Sequence, residues 1–327
     1  MPRNLNEPAF DLFSYARRGP GHRVRLSPTE IAQVARTVGR SPEVMVKVLS
    51  RGATDLAAVR KHVDYIDRKG RLDLETDDGQ KIRSRDAAEN ILTDWDLEID
   101  EHRRTAGLGP TSGKSPRLIH KVVFSMPPGT PPDKVLGAVR NFCREEFALR
   151  HRYAMVLHTD EPHPHVHVVV KAVSEDGVRL NIRKDTLRVW RQEFARHLRA
   201  LALEANATPR AVRGENHTRK LDTIYRTQLR GDSRHVRERV NAVAAAMIRG
   251  DKLVEPARTR LEETRRQVKH GWLAIREALI ANGYPALAER VREFVSQIAS
   301  PGSEREHIAE RLRRQLQRET RSPERSR

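Results

Sequence analysis

The sequence predicts an α/β fold in which a central, mostly antiparallel β-sheet is flanked by helices and followed by an α-helical C-terminal region. Three observations support this prediction. A strand-like alternating run is followed by an amphipathic helical pattern twice, over residues 44–70 and 118–147. Two apolar runs, 153–158 and 163–173, then enclose a short polar loop, as the strands of a hairpin do. From residue 221 onward, apolar residues recur only at helical spacing.

The first strand and helix are predicted from an alternation of valines followed by a longer periodicity. Valines at every second position over 44–48 indicate a strand buried chiefly on one face. Apolar residues then recur every three or four positions, namely at Leu56, Val59, Val63 and Ile66. Gly70 follows as a glycine that ends the helix. Residues 71–116 are mostly polar and are predicted to be an insertion with one helix, over 85–95.

The remaining elements follow the same reasoning. A strand over 118–125 precedes a helix that extends to Phe147. The two central apolar runs are followed by a return strand over 178–182 and a helix over 186–203. Two further helices, separated by Asn282-Gly283, are predicted from apolar stripes that begin at Leu261 and Leu287.

Charge and composition divide the chain and suggest its partner. There are 62 Lys and Arg residues against 44 Asp and Glu, a net charge of +18, which predicts a nucleic-acid partner, with an anionic membrane surface as the second choice. The predicted regions are a basic N-terminal arm (1–42), an α/β domain (43–205), a basic linker (206–220), a helical accessory region (221–302) and an Arg-rich tail (303–327).

Several classes of protein are excluded by what the sequence lacks. Cys143 is the only cysteine, so the chain forms no internal disulfide and no cysteine-ligated zinc or iron–sulfur cluster, as expected in a reducing cytoplasm. The most apolar stretch, 240–248, is too short to span a membrane. The N-terminal residues lack the continuous apolar core of a secretory signal.

A cluster of histidines predicts a metal site. Four of the 14 histidines fall within residues 158–167. His165 and His167 point to the same side of an extended strand, and His158 on the preceding strand can complete a site of three imidazoles for one divalent cation. Three protein ligands leave coordination positions vacant, which is typical of a catalytic metal. Asp160 is predicted to accept a hydrogen bond from a ligand N–H.

The strand that carries these histidines also predicts how the sheet is covered. Val166, Val168 and Val170 lie on the opposite face and are expected to pack against helices, leaving the histidine face open. The alternative is a histidine-rich surface loop that binds metal adventitiously.

Tyr65 is a candidate nucleophile. It lies on the first predicted helix, off the apolar stripe, and its helical neighbours Lys61, His62, Arg68 and Lys69 would attract a phosphate and favour a phenolate. The alternative is a tyrosine packed at the margin of the core.

Three stretches resemble the motifs of conjugative relaxases of the border-endonuclease type, which nick DNA at a transfer origin, and the resemblance covers residues 43–204, about half of the chain. Residues 63–74 resemble the nucleophile motif, with Tyr65 at the catalytic position. Residues 122–129 resemble the second motif, with Ser125 placed to contact DNA near the nick. The third motif is matched by His158, His165 and His167 as metal ligands.

The resemblance implies site- and strand-specific nicking and rejoining through a covalent 5′-phosphotyrosine. It implies a divalent cation, Mg²⁺ or Mn²⁺, with Zn²⁺ as the alternative. His163 is a candidate proton relay, although Asp64, water or bulk solvent would serve equally. Lys171 replaces an asparagine common in the family and is expected to contact phosphate, as are Lys61, Arg68 and Lys69.

The implied partners are DNA at a transfer origin, relaxosome accessory proteins and a type IV coupling protein that recognises the Arg-rich tail. The implied location is the bacterial cytoplasm, with translocation into a recipient cell. Two alternatives stay open. One is a rolling-circle replication initiator, in which the histidine motif usually precedes the tyrosine; the other is a non-catalytic DNA-binding accessory protein of mobilization.

Overall fold

The computed structural model describes residues 12, 25–49, 53–109, 115–215, 234–251, 258–299 and 302–321. The chain divides into two compact units, one of residues 39–207 and one of residues 1–38 with 208–327. The five regions predicted from the sequence remain predictions. Much of the predicted arm and linker, the start of the accessory region and the last six residues of the tail lie outside the described residues.

A six-stranded antiparallel sheet forms the centre of the unit of residues 39–207. Its strands are β1 (Met45–Val48), β2 (Leu74–Thr76), β3 (Lys81–Ile82), β4 (Ile119–Ser125), β5 (Tyr153–His158) and β6 (His165–Lys171). They lie in the order β1-β4-β6-β5-β2-β3. Each strand pairs with its neighbour in antiparallel orientation. The predicted mostly antiparallel sheet is therefore confirmed.

Ten helices occur among the described residues. In chain order they are α1 (Pro28–Val38), α2 (Leu56–Ile66), α3 (Ala87–Asp94), α4 (Ile99–Thr105), α5 (Pro132–Glu146), α6 (Lys184–Ala200), α7 (Arg234–Arg249), α8 (Arg258–Ala281), α9 (Pro285–Ser296) and α10 (Glu304–Arg321). The helical C-terminal region is thus confirmed. No helix in the described part of the chain is both long and apolar enough to cross a membrane.

Helices cover both faces of the sheet. Three of the four valines of β6, Val166, Val168 and Val170, pack with α5 and α6 in one core. This core contains a cluster of Phe124, Phe142 and Phe194. The opposite face, which carries the histidines, packs against α2 and α3 through a second core that includes Val169. The prediction that the whole histidine face is open is therefore wrong, because α2 and α3 cover the part of it beyond the histidines.

The short elements were not predicted. β2 and β3 lie in the polar stretch expected to be an insertion, and they extend the sheet beyond β5. Their three and two residues are too few for an alternation to show in the sequence. α4 was also missed, and the predicted return strand over 178–182 reduces to one bridge between Val173 and Arg179.

The unit of residues 1–38 and 208–327 has its own core. Trp272 of α8 is fully buried, packs against Phe294 of α9 and donates a hydrogen bond from its indole N–H to the carbonyl of Val212. Part of the predicted arm is a helix, α1, which begins with a capping box. Glu30 accepts a hydrogen bond from the backbone N–H of Ser27, and Ser27 Oγ accepts one from the backbone N–H of Glu30.

The acid stability of the fold is expected to depend on His120 of β4. Burial lowers the pKa of His120 to about 4, and its Nε2 hydrogen-bonds the carbonyl of Leu180. The unfolded chain titrates near its ordinary value of 6.5, so between these values the unfolded state binds more protons and stability falls as the pH falls. When unfolding by urea is measured at several pH values between 7 and 4, His120 should account for a loss of up to about 3 kcal/mol in the free energy of unfolding. In His120→Gln this part of the pH dependence should disappear; an unchanged slope would contradict the assignment.

Candidate metal and nucleophile site

Three histidines converge where β5 and β6 approach their connecting loop. His158 and His165 are directly opposite each other in the pairing of β5 with β6, and His167 follows on the same face of β6. One nitrogen from each ring lies within 4.8 Å of the others. His158 and His167 are almost completely buried, whereas His165 is half-buried. The three residues predicted as ligands are thus brought together with an opening at His165.

Backbone carbonyls fix the tautomers of two of these imidazoles. His158 donates a hydrogen bond from Nε2 to the carbonyl of Ile66, over 2.6 Å. His165 donates from Nδ1 to the carbonyl of His163, over 2.9 Å. Each bond leaves the other ring nitrogen without a proton, which is the arrangement that a metal ligand requires. The donor set therefore fits a divalent cation.

Two of the three histidines, His158 and His167, are held in their neutral forms. Burial, together with the neighbouring rings of His158 and His165, lowers the pKa of His167 to about 3. The pKa of His158 is also lowered, chiefly by burial. Neutral imidazoles bind metal ions without first releasing a proton, so the environment favours metal binding at neutral pH.

Helix α2 places Tyr65 beside this cluster. Asp55 caps the helix by accepting a hydrogen bond from the N–H of Ala58, over 2.7 Å. Val63 and Ile66 anchor the last turn in the core. Tyr65 lies off this stripe and is 48% exposed, with its ring centroid 6.2 Å from that of His167. The phenol is therefore accessible and next to the three imidazoles.

A left-handed segment after α2 directs Arg68 into the site. Arg68, Lys69 and Gly70 all have positive φ. Arg68 forms an ion pair with Asp160, lies over the Tyr65 ring at 5.1 Å and places its Nη2 3.4 Å from His158 Nδ1. A guanidinium only donates hydrogen bonds, so it faces the same lone pair that a metal would use. Arg68 and a bound metal therefore compete for this position.

Replacement of Gly70 by alanine is expected to disturb the segment that carries Arg68. Gly70 has φ +75°, and a Cβ there would lie 2.4 Å from the carbonyl carbon of Ser84. We expect Gly70→Ala to lower the free energy of unfolding by about 2–4 kcal/mol. Gly79→Ala is a matched control, because Gly79 has φ +87° but open space around its Cα, so its cost should be near 1 kcal/mol, on the order expected of φ alone. Equal losses in urea unfolding would contradict this account.

Comparison with known proteins matches this part of the chain to one family. A family model described as a relaxase of the MobA/VirD2-like type, nuclease domain, matches residues 65–202. The T-DNA border endonuclease VirD2 of Agrobacterium fabrum is 26% identical over 218 residues. That alignment covers 60% of this chain and 46% of VirD2, so the chain spans about half the length of this relative. Residues 65–202 are therefore similar to the nuclease domain of MobA/VirD2-like relaxases.

The other predicted site residues, all in the unit of residues 39–207, lie at different distances from the three histidines. Ser125 is opposite His165 in the pairing of β4 with β6 and is buried. Lys61 is exposed on α2, one turn before Tyr65, and Lys69 is exposed in the left-handed segment. Lys171 is four residues from His167 on β6, about 13 Å along the strand, and forms an ion pair with Glu175. The structure therefore does not bring Lys171 to the histidines.

Two accessory roles are predicted, one for Asp160 and one for His163. The carboxylate of Asp160 is 3.9 Å from His158 Nδ1, too far for a hydrogen bond, and it pairs with Arg68. The N–H acceptors are instead the carbonyls of Ile66 and His163. The side chain of His163 is exposed, and its role as a proton relay remains a prediction.

His62, predicted from the sequence only as one of the cationic neighbours of Tyr65, also contacts the ring of the predicted metal ligand His167. Its ring lies 6.3 Å from that of Tyr65 and 6.4 Å from that of His167. Burial, together with the charge of Lys121, lowers the pKa of His62 to about 3. The available signal was its position three residues before Tyr65, which places both on one side of the helix.

A second group of potential ligands lies on the other side of the sheet. Glu145, Glu193 and His197 bring one ligand atom each within 4.8 Å of one another. Arg196 already forms ion pairs with both carboxylates. This group is therefore satisfied by an arginine.

Proposed function

We propose that this protein nicks one strand of DNA at a transfer origin and rejoins it, through a covalent 5′-phosphotyrosine intermediate, to initiate conjugative transfer. The observation that carries the proposal is the accessible Tyr65 phenol beside three imidazoles whose neutral forms suit a divalent cation. The match of residues 65–202 to a family model of relaxase nuclease domains supports it. The similarity to a border endonuclease agrees with the same chemistry.

The reaction is a transesterification at one phosphodiester. Tyr65 Oη attacks phosphorus, a P–O bond to tyrosine forms, and the bond to the 3′ oxygen breaks, which leaves a 3′ hydroxyl and a 5′-phosphotyrosine. His158, His165 and His167 would hold a divalent cation, Mg²⁺ or Mn²⁺, which when bound would supply Lewis acidity to a phosphate oxygen and offset the developing charge. Because one phosphoester replaces another, the strand can be rejoined by the reverse step without a nucleotide.

The chain's own groups orient the nucleophile. The ring of His62 stacks beside that of Tyr65, and Arg68 lies over the Tyr65 ring, so both restrict the phenol. The ion pair between Arg68 and Asp160 is partly exposed to solvent. A DNA phosphate would therefore replace Asp160 as the partner of the Arg68 guanidinium. The proton released by Tyr65 passes to solvent or to a nearby base, for which Asp64 and His163 are candidates.

The order of motifs supports a relaxase over a replication initiator, because Tyr65 precedes the histidines in the chain.

We further propose that accessory proteins assemble with this protein on DNA and that a coupling protein recognises residues 303–327. α10 carries Arg311 and Arg314 in this tail, whereas Arg325 and Arg327 lie outside the described residues. Transfer at a normal frequency after deletion of residues 303–327 would contradict the role of the tail. By the same proposal, the protein acts in the bacterial cytoplasm and reaches the recipient cell with its DNA.

A plasmid assay tests the proposed reaction. Supercoiled plasmid that carries the cognate transfer origin is incubated with the protein and Mg²⁺ or Mn²⁺, with and without chelator. Detergent and protease then release the nicked form. We expect metal-dependent nicks at one site on one strand. Tight binding without nicking in either metal would favour the accessory-protein alternative.

A further inference from the structure

Two rows of side chains lead from the metal ligands to the free edge of the sheet. In one row His165, Ser125 and Met45 are paired across β6, β4 and β1. In the next row His167, Val123 and Lys47 are paired in the same way. Residues paired across neighbouring strands point to the same face, so both rows lie on the face that carries the histidines. At about 4.8 Å per strand, β1 lies roughly 10 Å from the ligands.

The outer end of these rows is exposed and positively charged. β1 is the edge strand, with Met45 41% exposed and Lys47 exposed. Lys121 lies on the same face of β4, two residues from Val123, and is half-buried. Neither lysine forms an ion pair with any carboxylate in the described part of the chain, unlike Arg68. The amines of Lys47 and Lys121 can bind phosphates, and the exposed thioether of Met45 can contact a base. This combination suits single-stranded nucleic acid, in which phosphates alternate with apolar bases.

We propose that single-stranded DNA runs from the reaction centre across β4 and over the edge strand β1, with phosphates at Lys121 and Lys47 and a base against Met45. This inference rests on the proposed function and adds the path of the strand. The floor of the path is formed by the small, nearly buried side chains of Val123 and Ser125. The flexible thioether of Met45 adapts to any base, so this path contributes affinity with little dependence on sequence.

Cross-linking tests the path directly. Cys143 is the only cysteine and is completely buried, so a cysteine introduced at Met45 can be labelled selectively with a photoreactive azidophenacyl group. Lys81 lies exposed on the opposite edge strand, β3, and Lys81→Cys is the matched control. The full-length variants are irradiated with a single-stranded oligonucleotide that contains the nick site mapped with the wild type. We expect Met45→Cys to cross-link within a few nucleotides of the nick and Lys81→Cys not to do so.

Salt dependence supplies a second measurement. Each lost phosphate contact should reduce the slope of log affinity against log salt by about 0.7 for single strands. Lys47→Gln and Lys121→Gln should each show this change with several-fold weaker binding, and Lys81→Gln should match the wild type. Wild-type nicking together with unchanged slopes in both variants, or equal cross-linking from both edges, would overturn the path alone. A wild type that neither binds nor nicks DNA would overturn the proposed function and the path with it.

Discussion

Tyr65→Phe is expected to abolish the covalent protein–DNA complex while the protein still folds and binds DNA. The substitution removes one oxygen from a side chain that is 48% exposed, so packing changes little. It also removes the only atom that can form the phosphotyrosine bond, and loss of a nucleophile typically lowers the rate by about 10³-fold or more. The complex is measured by denaturing gel after incubation with a labelled oligonucleotide that contains the nick site.

Tyr284→Phe provides a matched control for this result. Tyr284 is 45% exposed and lies in the other unit of the chain, so it has no part in the proposed reaction. Its variant should form the covalent complex at the wild-type rate. A complex that persists in Tyr65→Phe would move the nucleophile to another residue.

Alanine at His158 or His167 is expected to have the second-largest effect, through loss of the metal site. Each side chain supplies one of three clustered nitrogens, and two remaining ligands hold a divalent cation far more weakly. We expect Mn²⁺ affinity to fall by about 100-fold or more, since even loss of a residue behind a ligand costs 10–100-fold. Isothermal titration with Mn²⁺ measures this affinity directly, and nicking should fall in parallel.

Two further substitutions distinguish ligand loss from damage to the fold. His270 is an exposed histidine of α8, and His270→Ala should leave Mn²⁺ binding and nicking unchanged. Asp160→Asn retains all three ligands and removes the anion that pairs with Arg68, so it should retain Mn²⁺ binding. Undiminished Mn²⁺ affinity in both His158→Ala and His167→Ala would show that the metal lies elsewhere.

The main elements of the unit of residues 39–207 were predictable because their sequence patterns are long. The periodicity of α2 predicts that Tyr65 lies off the apolar stripe of the helix, and the alternation along β6 predicts that His165 and His167 share one face of the strand. The hairpin of β2 and β3 was not predictable, since strands of three and two residues leave no pattern. Its place in the sheet depends on pairing with β5, which is distant in sequence.

The contacts around the histidines could not be predicted either, because they depend on how α2 packs on the sheet. The acceptor for His158 is the backbone carbonyl of Ile66, and any residue at that position would supply it. The ring contacts of His62 depend on the same packing. Lys171 was expected to reach phosphate from the correct face of β6, but the sequence did not show that Glu175 pairs with it.

The most direct test of the account is to identify the residue that carries the DNA. The covalent complex formed by the wild-type protein is digested with nuclease and trypsin, and the peptides are analysed by mass spectrometry. Cleavage after Lys61 and Arg68 releases residues 62–68, which contain Tyr65 as their only tyrosine. The account predicts this peptide with a 5′-phosphorylated nucleotide attached to Tyr65. A nucleotide attached to any other peptide would contradict it.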